Sequence, residues 1–94
     1  MEKDTELALV KQGEDASFLL NNDTFNSTIN SLVDAAFQTF VNSKQEETSV
    51  REGTYHNYRA LVEIINTLRQ RVAVKEQIQA KADDNNQEDT PDHE

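Results

Sequence analysis

Ninety-four residues, 35% apolar and 6% aromatic, with no Trp and no Cys, bound the chain to one small domain with a limited core and exclude both a disulfide framework and a thiolate metal site. The net charge of −9 is uneven: six of the eighteen acids (Asp83, Asp84, Glu88, Asp89, Asp92, Glu94) follow Lys81 with no Lys or Arg among them, while all nine bases lie in residues 1–81. That balance repels phosphate backbones, so direct nucleic-acid binding is not expected.

The opening Met1-Glu2-Lys3-Asp4 has neither the basic region nor the apolar run of a signal peptide, and no stretch reaches the roughly 18 apolar residues of a membrane span. The expectation is a soluble cytoplasmic protein with no membrane partner. Glycine occurs only at Gly13 and Gly53 and proline only at Pro91, so the turn punctuation of a small β domain is missing and the chain reads as all-α.

Residues 1–14 read as a flexible polar leader with one apolar patch, Leu7-Ala8-Leu9-Val10, closed by Gly13. Asp15 can then cap a short helix over residues 16–20, which Asn21-Asn22 would end in a left-handed C-cap. A second helix, residues 24–42, starts from Asn22 or Asp23 as cap. It places Phe25, Ile29, Leu32, Val33, Ala36, Phe37, Phe40 and Val41 on one stripe by intervals of three and four. Around that stripe, Asn26, Ser27, Asn30, Ser31, Gln38, Thr39 and Asn42 are polar but uncharged, and Asp34 is the only charge. These residue types favour helix weakly, by roughly 0.5 kcal/mol each relative to Ala, so packing must hold the helix.

After a polar break at residues 43–49, Ser49 and Glu52 have the spacing of a capping box opening a third helix that runs to about residue 81. Tyr58, Leu61, Ile65, Leu68 and Val72 alternate by three and four as the a/d seam of a paired helix, with Val62 on its flank. Lys75 takes the next place in the series, four residues from the like-charged Arg71, so the helix should fray beyond Val74. Residues 82–94 have no apolar period and read as a disordered acidic tail.

The expected architecture is an antiparallel helical hairpin, residues 15–81, of two long helices plus a short N-terminal one. Its seam of Phe25, Ile29, Leu32, Phe37, Phe40, Tyr58, Leu61, Ile65, Leu68 and Val72 is too small to be shielded alone. A homo-oligomer follows, most simply a dimer forming a four-helix bundle, with a ring as the next possibility.

No residue pattern carries chemistry. His56 has no second His, Cys or paired carboxylate at ligand spacing, and Asp83-x-Asn85-x-Gln87 lacks the central Gly and closing Glu of a calcium loop. No serine lies in a nucleophile elbow and no glycine-rich loop can cradle phosphate. Tyr55 and Tyr58 have no flanking basic stripe to make them a base-stacking platform. The sequence therefore reads as a non-enzyme without cofactor or metal.

Leu19-Leu20-Asn21-Asn22-Asp23-Thr24-Phe25, the aromatics Phe37 and Phe40, and Arg51-Glu52-Gly53-Thr54-Tyr55 leading into Arg59-Ala60-Leu61-Val62-Glu63-Ile64-Ile65 together resemble a group of small bacteriophage and prophage proteins. That group carries an L-x-N-x-x-F start and an R-E-x-x-Y … A-L second helix and is encoded among head and packaging genes. The similarity spans about residues 18–78; Phe40 and Val41 stand where many of those chains have Trp, and the acidic tail has no counterpart there. The resemblance implies an accessory of virion assembly or DNA packaging, located in the host cytoplasm or the virion, with a phage head or packaging protein as partner. Two other roles compete. One is a small terminase subunit, for which the acidic leader before Phe18 is too short to hold a helix-turn-helix. The other is an acidic inhibitor or DNA mimic acting on a host protein through its carboxylates.

Overall fold

The computed structural model describes residues 2–89, with side chains placed through Asp84. The fold is all-α: α1 (Lys3–Leu20), α2 (Asp23–Asn42) and α3 (Thr48–Asp89), with no strand among the described residues. Both α1 and α2 pack on α3 and barely touch each other. The result is elongated, 75 × 26 × 23 Å, because the 42 residues of α3 alone extend about 63 Å at 1.5 Å per residue.

Helix α1 begins at Lys3, so residues expected as a leader are helical, and Asp15 lies inside the helix instead of capping it. Local signals at its start are modest. Glu2 at the N-cap makes no side-chain cap bond, although Asp4 and Glu6 suit the positive end of the helix dipole. What holds the helix is tertiary packing. Gly13, expected to close the apolar patch, is instead buried in mid-helix, and Ala16 one turn later is 1% exposed. A Cβ at Gly13 would collide with the Cβ of Lys75 and come within 2.8 Å of the Arg71 carbonyl oxygen. Only a residue without a side chain lets the two backbones approach so closely, and spacing in sequence alone cannot reveal that.

On the outer side of α1, Lys11 donates to both Asp15 carboxylate oxygens at 2.9 Å. That hydrogen bond and the charge of Asp15 hold the Lys11 ammonium above its ordinary value. Because the folded-state value is raised, the pair's small contribution is present below the lysine range and disappears as pH climbs through the raised value, far from neutrality.

The α1–α2 junction is tied by three asparagines. The Asn21 backbone N–H donates to Ser17 O at 3.0 Å and its Nδ2 donates to the same carbonyl at 2.9 Å. Asn26 Nδ2 donates to Leu20 O at 2.8 Å, and Asn22 Oδ1 accepts from the Phe25 N–H at 2.8 Å as the expected cap of α2. Asn21 has φ −99° and ψ 4°, so α1 ends without the left-handed residue that Asn tolerance had suggested. Side-chain amides reach the Ser17 and Leu20 carbonyls and the Asn22 N–H donates to Leu19 O at 3.0 Å, so the helix end is satisfied without it.

Between α2 and α3, Ser43 Oγ donates to Phe40 O at 2.7 Å and Glu47 Oε1 accepts from the Lys44 N–H at 2.7 Å. Helix α3 starts at Thr48, two residues earlier than a Ser49 cap requires. Ser49 is therefore already inside the helix, and the expected reciprocal bonds with Glu52 do not form. At its other end α3 continues without fraying at Val74 or stopping at Lys81, and the 82–89 part of the expected disordered tail is helical. Helix α1 lies along Thr67, Gln70, Arg71, Val74 and Lys75 and supports that stretch. No Gly or Pro interrupts that stretch through Asp89. The rest of the tail, residues 90–94, lies outside the described residues.

The two glycines separate packing from propensity. Gly13→Leu is expected to destabilise by about 1–3 kcal/mol through overpacking of α1 on α3. Gly53, with open space where its Cβ would be, should gain up to about 1 kcal/mol on replacement by Ala. Thermal melts followed by circular dichroism check both, and equal effects of one sign would refute the packing at Gly13.

Candidate functional site

The α2 stripe meets the first half of α3 along a narrow line. Ala36 and Thr54 occupy its centre, and Thr54, 8% exposed, is the one buried residue of this half. Small residues at the line bring the helices together there, and the larger apolar side chains splay to either side of it.

On one flank, Val33, Phe37, Phe40, Tyr55 and Tyr58 bound an open groove of about 390 Å³. Phe37 and Phe40 stand three apart on α2, as Tyr55 and Tyr58 do on α3, so each pair projects to the same side of its helix. All four are exposed, at 59%, 48%, 54% and 41%. The opposite flank is a second open groove, of about 490 Å³, bounded by Ala35, Thr39, Asn57 and Ala60 with Leu32 and Leu61. One flank is therefore aromatic and protruding, and the other is lined mainly by small side chains. Neither groove is lined by a charged residue.

The expected seam divides in the structure. Phe25, Ile29, Leu61, Ile65, Leu68 and Val72 are half-buried, with Ile29 and Ile65 on a shared groove at the α1-proximal end of the α2–α3 contact. Leu32, Phe37, Phe40 and Tyr58 are exposed. Thr54, Ala35, Ala60 and Tyr55, none of them among the ten seam residues that spacing indicates, all line the grooves. Their signal was the small-residue spacing Ala35-Ala36 and Thr54 to Ala60, which is faint because small residues are common on any helix. His56 stacks edge-on against Tyr55, with ring centroids 5.9 Å apart at 62°, and is exposed beyond it.

The turn that positions these flanks is clamped by Arg51. Its guanidinium donates to the Lys44 carbonyl, to Gln45 O at 2.9 Å and to Ser43 Oγ at 3.4 Å. One side chain from the first turn of α3 thus satisfies the chain just after α2, using the fork geometry peculiar to Arg. No helix among the described residues is long and apolar enough to cross a membrane. No protein family, curated protein or solved structure matches the chain.

Removing the clamp isolates its role. Arg51→Ala is expected to raise amide hydrogen exchange at residues 43–51 by an order of magnitude or more, equivalent to about 1.5–3 kcal/mol for hydrogen bonds from a charged donor. Exchange in α1 should be unaffected. Unchanged protection across the turn would show that Arg51 does not hold it.

Proposed function

We propose that this protein is a non-enzymatic association module, an antiparallel helical hairpin that binds copies of itself through the apolar α2–α3 face. The observation that carries the reading is the distribution of burial. Ala16 is the only buried apolar residue among those described, whereas Leu32, Phe37, Phe40, Val41, Val50, Tyr55 and Tyr58 are all at least 41% exposed. Large contiguous apolar surface on a small soluble chain marks an interaction site.

The hairpin arrangement is supported by the order in which residues share grooves. Ile29 lies with Ile65, Leu32 with Leu61 and Phe40 with Tyr55, so positions advance along α2 as they retreat along α3. The non-enzymatic part rests on the sequence, in which no serine lies in a nucleophile elbow, His56 has no partner at ligand spacing and no glycine-rich loop can cradle phosphate. The assignment as a bacteriophage-type assembly accessory, acting in the host cytoplasm or in the virion on a head or packaging protein, rests on the motif resemblance over residues 18–78 alone.

Light scattering across a dilution series tests self-association. The wild type is expected to exceed the mass of one chain at micromolar concentration and to approach it on dilution. Leu61→Asp together with Ile65→Asp, each placing a charge in the seam, should reduce the mass to one chain and lower helicity. A wild type that keeps the mass of one chain at every concentration would remove the proposal, and a double variant unchanged in mass and helicity would remove the seam.

A further inference from the structure

The two flanks of the α2–α3 line differ in shape, and that difference limits how copies can meet. We propose that copies of this chain associate head-to-tail, the aromatic flank of one seating in the small-residue groove of the next. The inference rests on the self-association reading and specifies its geometry.

Both flanks are apolar and both are open. A symmetric pairing of aromatic flank on aromatic flank would leave the other groove wet on every copy, and a pairing of small-residue flanks would set hollow against hollow. Gaps of that kind forfeit the dispersion contacts that packing supplies. Placing the aromatic flank of one copy in the small-residue groove of its neighbour covers both surfaces in one repeated contact. Contacts of this heterologous type continue from copy to copy, closing into a ring or extending as a filament.

Size and charge agree with the match. Each aromatic side chain can bury 150–250 Å², so Phe37, Phe40, Tyr55 and Tyr58 at their observed exposures offer about 400 Å². A stable interface takes about 800 Å² from each partner, a little over half of it apolar, which those four side chains nearly supply. The receiving groove, about 490 Å³, is open above its small side chains, which leaves room for aromatic rings to enter. With no charged residue lining either groove, closure strands no ion.

Complementary variants test this. Phe37→Asp with Phe40→Asp removes the protruding flank, and Ala35→Arg with Ala60→Arg fills the receiving groove; all four positions are exposed and lie off the Ala36–Thr54 line. By sedimentation velocity the wild type should form species larger than two chains, and each variant alone should sediment as one chain. Their equimolar mixture should give a complex of one copy of each and nothing larger. A groove-filled variant that still dimerises alone would overturn the head-to-tail geometry in favour of symmetric aromatic pairing while leaving self-association standing, and a mixture that stays monomeric would overturn it as well. A wild type that is monomeric throughout would overturn both readings. Circular dichroism verifies that each variant keeps its helices. Where one does not, Phe40→Ser and Ala60→Gln make the same pair of lesions more gently and are read by the same outcomes.

Discussion

The close approach of α1 to α3 at Gly13 is the contact on which the remaining arrangement depends. Helix α3 is a rod of 42 residues, and a rod that long has no fold of its own until other helices lie against it. At Gly13 two backbones come together with no side chain between them, and Ala16 one turn on is sealed beneath the contact. This fixes α1, and through the asparagine-tied junction it fixes where α2 must start. Helix α2 then runs along the first half of α3, from Ile29 beside Ile65 to Ala36 beside Thr54. The molecule thus has one end where backbones are in contact and another where aromatic rings are left in solvent.

Polar groups perform the joining. Asn21, Asn22 and Asn26 satisfy the end of α1 and the start of α2, while Arg51 gathers the carbonyls after α2. Part of the uncharged composition of α2 follows from this. Asn26 is there to reach back across the junction, and Thr39 returns its hydroxyl to Ala35 O at 3.0 Å. Other members of that face, such as Ser31, Gln38 and Asn42, are exposed. On the reading proposed above, neutral polar side chains suit a helix that becomes partly covered, because they shed water at lower cost than Lys or Glu.

No charged residue lines either groove. Asp83 and Asp84 lie roughly 40 Å along α3 from the aromatic flank, counted at 1.5 Å per residue. On the reading proposed above, the acids at this end keep the assembled particles soluble and repel one another, while the apolar end makes the contacts between them.

The amphipathic periods of α2 and α3, the Asn22 cap and the all-α class could all be read from residue order, since each depends on neighbours within one or two turns. The helicity of residues 3–14 could not. Gly13 is a helix weakener by local rule and a helix holder only when another backbone is present to exploit its missing side chain. The persistence of α3 beyond Val74 was hidden for the same reason, as Lys75 looks like the end of a seam until α1 is laid beside it. Ten seam residues were nominated by spacing, but spacing cannot say which are covered within one chain and which are left outside. That division was decided by the width of the α2–α3 contact, where Ala36 and Thr54 set the distance and the aromatic side chains, too large to fit between, were turned outward.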